Sequence, residues 1–273
     1  MGESTLRGLF GRPYVDLGPY LNTSAFGAID DEICLGLCEV ATGYTGGSHR
    51  SMGIMPPSLA AGPYVDYGEV IAGMGEGEFR RFCALGGAGG AETGRGEIGE
   101  ERAVSLGRKQ MLYLNYRHGV YFPWKVFYQF IPTDYWHEKS SGAGKAFTAE
   151  ARALFPQTVA FVRSLPFREI GRCNLMGLEA NDEGTVHRDG DPAEQGEPDH
   201  FVTFCPGRRD KRLYLWDEPR RQKTFVRGRA YWFNDFDYHG VEPDPYFRYS
   251  IRVDGVFEPS FLRHLGRQMA RAG

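Results

Sequence analysis

Apolar and polar positions change rhythm near residue 108 of this 273-residue chain. Upstream, short apolar runs are broken by "GPY", "TGGS", "MPPS" and "AAGPY", and one helix is legible. It spans residues 30–41, where Ile33, Leu37, Val40 and Ala41 recur at helical spacing behind the acidic "DDE". Residues 84–101, "ALGGAGGAETGRGEIGEE", are dense in glycine and poor in apolar side chains, which predicts a loop or internal linker. The next stretch, "KQMLYLNYRHGVYFPWKVFYQFIP", is aromatic and β-rich with a glycine break, the pattern of two strands. Helical periodicity returns in "TAEARALFPQTVAFVRSL", with Thr148 as N-cap and Pro156 as a kink. From Glu169 on, "EIGRCNLMGLE", "HFVTFC", "RLYLWD", "TFVRGRAYWFN" and "FRYSIRVDGVF" recur between turn signals. Short strands behind a helix predict a mainly β fold with flanking helices, a barrel or sandwich. Residues 1–108 then form an N-terminal elaboration packed on or capping a core over residues 109–273.

Composition narrows the class. With 41% hydrophobic and 25% charged residues the chain is an ordinary globular one. A net charge of −3 supplies no basic excess for a nucleic-acid backbone, so nucleic acid is not an expected partner. The runs Arg208, Arg209, Lys211, Arg212 and Arg220, Arg221, Lys223 are interrupted by Asp210, Asp217 and Glu218 and read as solvated hairpin ends. No stretch approaches the ~20 apolar residues that span a bilayer, and no basic-then-apolar leader opens the chain, so no membrane and a cytoplasmic location are expected. Five cysteines without CxxC spacing fit reduced thiols. "GRGEIG" lacks a preceding strand, "SGAGKAF" fails the phosphate-loop pattern, and "HEKSS" lacks the second histidine of a zinc helix.

"VHRDGDP" carries the chemistry. Alternate residues of a strand share a face, so His187 and Asp189 project together about 6–7 Å apart and reach one metal ion. An imidazole, a carboxylate and a second imidazole form the facial set of non-haem iron(II). His239, at the end of an apolar strand 50 residues after Asp189, supplies the second ring. Nine residues further Arg248 opens a strand whose one face carries Arg248, Ser250 and Arg252. Two arginines on one buried face are costly unless an anion meets them. Asn174, facing with Arg172, either joins that anion or satisfies a core edge. Arg188 points away from the ligands and reads as structural. His49, His118, His137, His200 and His264 read as polar residues with ordinary partners. The "AEQGEPD" loop after the Gly-Asp-Pro turn is expected beside the metal, where it would set selectivity.

His-x-Asp, a distal His and a basic residue shortly after it with a nearby Ser resemble the signature of iron(II)- and 2-oxoglutarate-dependent oxygenases. The texture of "RCNLMGLEANDEGTVHRD", "RGRAYWFNDFDYHGVE" and "FRYSIRVDGVFEP" is most similar to the aspartyl/asparaginyl β-hydroxylase group and its relatives that hydroxylate free amino acids such as proline. The resemblance covers residues 145–260, and the first 110 residues resemble no family. It implies a double-stranded β-helix (jelly-roll, cupin-like) core with His187, Asp189 and His239 as iron ligands and catalytic centre. It further implies Arg248 and Ser250 as the 2-oxoglutarate anchor and Fe(II), 2-oxoglutarate and O2 as cofactors; beside that pair, Asn174 could touch the oxoglutarate, Arg252 is the alternative anchor, and either arginine, Arg252 foremost, could instead grip a substrate carboxylate. Asp189 stands where halogenating members have Gly or Ala, which favours hydroxylation or desaturation. The implied partner is a small-molecule substrate, a free amino acid or natural-product intermediate oxidised at an unactivated C–H. The alternatives are a peptide or protein side chain and a non-catalytic ligand-binding barrel. A cupin enzyme would need a His-x-His pair, which the chain lacks.

Overall fold

The apolar runs pair into two antiparallel sheets in the computed structural model, which describes residues 4–86, 94–100, 102–133 and 135–271. In chain order the strands are β1 (Tyr14–Asp16), β2 (Gly43–Thr45), β3 (Trp124–Ile131), β4 (Phe167–Leu178), β5 (Gly184–His187), β6 (His200–Phe204), β7 (Leu213–Asp217), β8 (Gln222–Phe225), β9 (Ala230–Phe233), β10 (His239–Val241) and β11 (Arg248–Phe257). The larger sheet runs β1-β9-β6-β11-β4-β3-β2 and the smaller β5-β10-β7-β8. From β4 onward each connection carries the chain to the other sheet, except the hairpin from β7 to β8.

The helices are α1 (Phe26–Gly36), α2 (Pro57–Ala60), α3 (Tyr67–Gly73), α4 (Glu76–Leu85), α5 (Arg108–His118), α6 (Ala149–Leu154), α7 (Pro156–Arg163) and α8 (Pro259–Arg271). Alternation along β11 divides the space around them. Ile251 and Val253 join the main core with Phe26, Phe155 and Phe161, whereas Ser250 and Arg252 line a cavity. Phe26 of α1 meets Phe161 of α7 edge-on at 5.3 Å and Phe204 of β6 at 5.8 Å, so these helices cover one face of the larger sheet.

Thr148 caps α6 as the sequence indicates, its hydroxyl accepting from the Ala151 amide at 2.9 Å, and Pro156 opens α7. Three other expectations need correction. The first helix begins earlier than residue 30 and ends at Gly36, because Phe26, Ile29 and Ile33 are the residues it buries. The segment expected to be two strands is a helix followed by one strand. Gln110 accepts the Gly107 amide at 2.9 Å to start α5, and Gly119 at φ 71° closes it in the left-handed conformation. Met111 and Leu114 bury from that helix into a second apolar cluster with Ile71, Phe82 and Phe122. "TFVRGRAYWFN" divides into β8 and β9. In the glycine-dense segment, residues 87–93 and 101 lie outside the described residues, while Ile98 bridges to Val104.

The boundary anticipated at residue 108 falls at the first turn of α5, inside the second cluster, and the early strands β1 and β2 take the two edges of the larger sheet. Among the described residues no helix is long and apolar enough to cross a membrane.

β2 leads into "TGGS", whose backbone presses on the aromatic wall. A Cβ at Gly46 would lie 2.4 Å from the Trp124 ring, and its φ of 88° is left-handed. Gly46→Ala combines backbone strain with a clash, so a loss of about 2–4 kcal/mol is expected in the denaturant midpoint.

Candidate metal centre

A cavity of about 410 Å³ opens between the sheets. It is lined by Asn174, Thr203, Phe233, Ser250 and Arg252 from the larger sheet and by His187, Leu213, His239 and Val241 from the smaller. Two adjacent antiparallel strands bring the histidines together. His187 ends β5, His239 opens β10, and they are direct register partners with ring centroids 4.4 Å apart. Asp189 lies just past β5, fixed by its own amide donating to the Asp235 carbonyl at 2.9 Å and by Trp136 Nε1 donating to its carbonyl at 3.0 Å.

Each ring is held by one nitrogen. His187 Nδ1 lies 2.7 Å from the Thr185 carbonyl and His239 Nδ1 lies 3.1 Å from that of Asp237. A carbonyl only accepts, so Nδ1 carries the hydrogen and the Nε2 lone pairs are free. Those Nε2 atoms face Asp189, at 3.3 Å from Oδ1 for His187 and 3.8 Å from Oδ2 for His239. One donor atom from each of the three residues lies within 4.8 Å of the other two. Imidazoles fixed through Nδ1 to backbone oxygens, with one carboxylate, are a divalent-metal donor set.

Electrostatics prepare the donors. Burial, with the His187 ring and Arg252, outweighs the Asp189 charge and lowers His239 to about 3, which keeps the ring neutral. Burial alone would raise Asp189, but Arg252, then His239 and His187, hold its carboxyl well below the usual range. Arg252 Nη1 donates to Asp189 and its Nε to Asp254 at 2.8 Å. Asp254, fully buried, also accepts from Arg172 at 2.8 and 2.9 Å. Trp136 lies under Arg172 and Lys139, and Lys139 pairs with Asp199. Arg252, a substrate candidate in the sequence, is therefore engaged by two carboxylates. The Arg188 side chain pairs with Asp191.

The remaining basic residues divide between wall and interior. Arg248 is buried but is not among the cavity-lining residues, and its Nη2 donates to the Asp182 carbonyl at 3.0 Å. Its Nε and Nη1 have no hydrogen-bond partner among the described residues. Lys211 does line the cavity and donates to Ser250 Oγ. Burial, with Arg248 and Arg252 adding to it, lowers its ammonium to about 8. No carboxylate lies at ion-pair distance from Lys211 among the described residues. Asn174 also lines the cavity, with its Oδ1 unpartnered there.

Three site residues escape sequence reasoning. Lys211 sits in a charged run that reads as solvent-facing, yet it is 4% exposed. Trp136 directly precedes "HEKSS", the failed zinc motif. His49, read as an ordinary polar residue, stacks on His187 with centroids 3.7 Å apart and approaches Thr185 Oγ1 at 2.6 Å. Burial and the neighbouring His187 hold its imidazole well below the usual range. The Gly-Gly of "TGGS" is the one signal that could have found it, since it marks a close backbone approach directly before Ser48 and His49. Residues 193–199, where selectivity was anticipated, are not among those lining the cavity; that wall comes from residues on either side of His49, with Glu100, Ser105, Leu106, Arg108 and Met111.

No family model and no curated protein matches the chain. Among solved structures it is similar to a 2OG-Fe(II) oxygenase family oxidoreductase from Burkholderia pseudomallei, at 12% identity over 47% of this chain and 66% of that one, with a TM-score of 0.29. It is also similar to a Pseudomonas putida prolyl-4-hydroxylase, at 11% identity over 39% and 61% with a TM-score of 0.26. AviO1 from Streptomyces viridochromogenes Tue57 matches at 14% identity over 56% and 81% with a TM-score of 0.28. The chain spans less than two-thirds of the first two, and similarity of this depth assigns neither fold nor activity.

Arg252→Met leaves Asp189 and Asp254 buried without their shared cation, so a loss of about 3–5 kcal/mol is expected in chemical unfolding of the metal-free protein. Added divalent metal should recover part of it through Asp189, a difference read as a larger metal-induced rise in midpoint than wild type shows.

Proposed function

We propose that this chain is a non-haem iron(II)- and 2-oxoglutarate-dependent oxygenase on a double-stranded β-helix, hydroxylating a C–H bond of a small molecule. The observation that carries the reading is the pair of Nδ1-anchored histidines turned with Asp189 onto one cavity wall. The alternation of sheets from β4 to β11 is the strand pattern such a β-helix requires.

Bound at these donors, iron(II) supplies the oxidation: dioxygen and 2-oxoglutarate are consumed, one oxygen atom enters the C–H bond, and succinate and carbon dioxide leave. The protein's part is binding and orientation. His187, Asp189 and His239 would hold the metal at the wall, leaving its cavity side to small ligands. Arg252 keeps Asp189 ionised, and Asp254 keeps Arg252 in place. Lys211 and Ser250 meet the far carboxylate of 2-oxoglutarate, Arg248 adds positive charge behind them, and Asn174 offers a polar contact along its length. His49 and Trp124 close the wall against the His187 ring, with Trp124 edge-on at 5.7 Å. A free amino acid or similar small molecule suits a cavity of about 410 Å³ shared with the keto acid.

The purified chain with iron(II), ascorbate and 2-oxoglutarate is expected to release succinate, and His187→Ala to abolish that release. Absence of succinate together with unchanged iron affinity in His187→Ala would sink the reading.

Lys211 adds a pH signature. Its charged form is the one that attracts a dicarboxylate, and that form dominates below about pH 8. Affinity for 2-oxoglutarate should therefore be highest below pH 8 and fall above it. Lys211→Met should raise the dissociation constant by roughly 10- to 100-fold at neutral pH and remove the pH step. A wild-type affinity that is flat from pH 7 to about pH 9.5 would contradict this assignment.

A further inference from the structure

Among the described residues two carboxylates line the cavity, Asp189 and Glu100. The first is answered by Arg252 and the two histidines. The second has no such answer. Glu100 Oε1 accepts from Thr45 Oγ1 at 2.6 Å and from the Gly46 amide at 2.9 Å, and the Glu100 amide donates to Tyr67 Oη at 3.0 Å. The side chain is thus fixed at one oxygen while Oε2 is buried without a hydrogen-bond partner. No lysine, arginine or histidine nitrogen lies at ion-pair distance from it among the described residues. Arg108, on the same wall, lies over the Tyr44 ring instead.

A buried carboxylate oxygen with no donor is costly, and a cation that reaches it forms a charge-assisted hydrogen bond. Three residues lie between Thr45, which holds Glu100, and His49, which stacks on His187, so their Cα atoms are at most about 14 Å apart. A small molecule can span that distance. Lys211, which donates to Ser250, presents the opposite charge on the same cavity, suited to the keto acid and unsuited to an ammonium.

We propose that Glu100 seats the ammonium group of the molecule that is oxidised, so that the substrate is a small primary or secondary amine of the α-amino acid class. That the bound amine is oxidised rests on the oxygenase reading; the amine site itself stands on Glu100, Thr45 and the cavity. The N-terminal wall then recognises the substrate, while the strands hold metal and keto acid.

Calorimetry on the whole chain tests it, with the proteinogenic L-α-amino acids and L-hydroxyproline as probes, each paired with its N-acetyl derivative. The titrations are run on metal-free protein and again anaerobically with iron(II) and 2-oxoglutarate. At least one amine should bind, and N-acetylation should weaken it roughly tenfold or more. Glu100→Gln should weaken the same amine by a similar factor while changing its N-acetyl form less than about twofold, and Glu100→Asp should restore part of the loss. Thr45→Val, which removes one anchor of Oε1, should weaken amine binding in the same direction should the glutamate variants fold poorly. Equal binding of the N-acetyl derivatives, indifference to both positions, or no amine binding at all overturns the proposal. Amine binding through Glu100 without succinate release leaves the site standing and removes the oxygenase reading. Succinate release that no amine stimulates, from protein that binds no amine, does the reverse.

Discussion

Asp189 places a negative charge where burial alone would drive it to protonate, and the surrounding structure is arranged around keeping it ionised. Arg252 donates to it directly, and the two imidazole Nε2 atoms face its oxygens. Arg252 would itself be a costly buried cation without Asp254, which it shares with Arg172. The chain of compensation runs from the candidate metal residues through β11 to β4, the strand pair at the centre of the larger sheet. The metal centre and the sheet core are consequently one electrostatic unit. A change at Arg252 or Asp254 acts on the ligand carboxylate without touching the ligand.

The N-terminal residues complete that unit from the other side. "TGGS" packs its backbone against Phe122 and Trp124, which leaves no room for side chains at Gly46 and Gly47. That close approach turns Thr45 and the Gly46 amide toward Glu100 and carries His49 onto the His187 ring. The strands therefore carry the candidate metal residues and Lys211, and the early segment supplies a wall of different polarity.

Much of this was legible in the sequence because it rests on period-two alternation. The shared face of Arg248, Ser250 and Arg252 follows from it, the buried strands β4, β6 and β7 follow from apolar runs set between turn signals, and the approach of His187 to His239 follows from chemistry and order along the chain. Alternation does not say how deep a residue lies, so it could not tell Arg248, set off the cavity wall, from Lys211, set on it. Lys211 was concealed in a charged run whose other members face water. Helix α5 was read as strand because its tyrosines favour β structure, while its stop signal, Gly119, fits a hairpin break equally well. His49 and Glu100 could not be placed, since their roles depend on contacts between segments 50 or more residues apart. The strand topology was inferable only in outline, because pairing order is fixed by tertiary packing and not by local pattern.

The central claim is that His187, Asp189 and His239 bind iron together. X-ray absorption at the iron edge of the iron(II)-loaded chain reads the ligand shell without reference to turnover or substrate. The account predicts outer-shell scattering from two imidazole rings, falling to one in His239→Ala. Iron surrounded by oxygen donors alone, with no imidazole signal and no change in that variant, would contradict it.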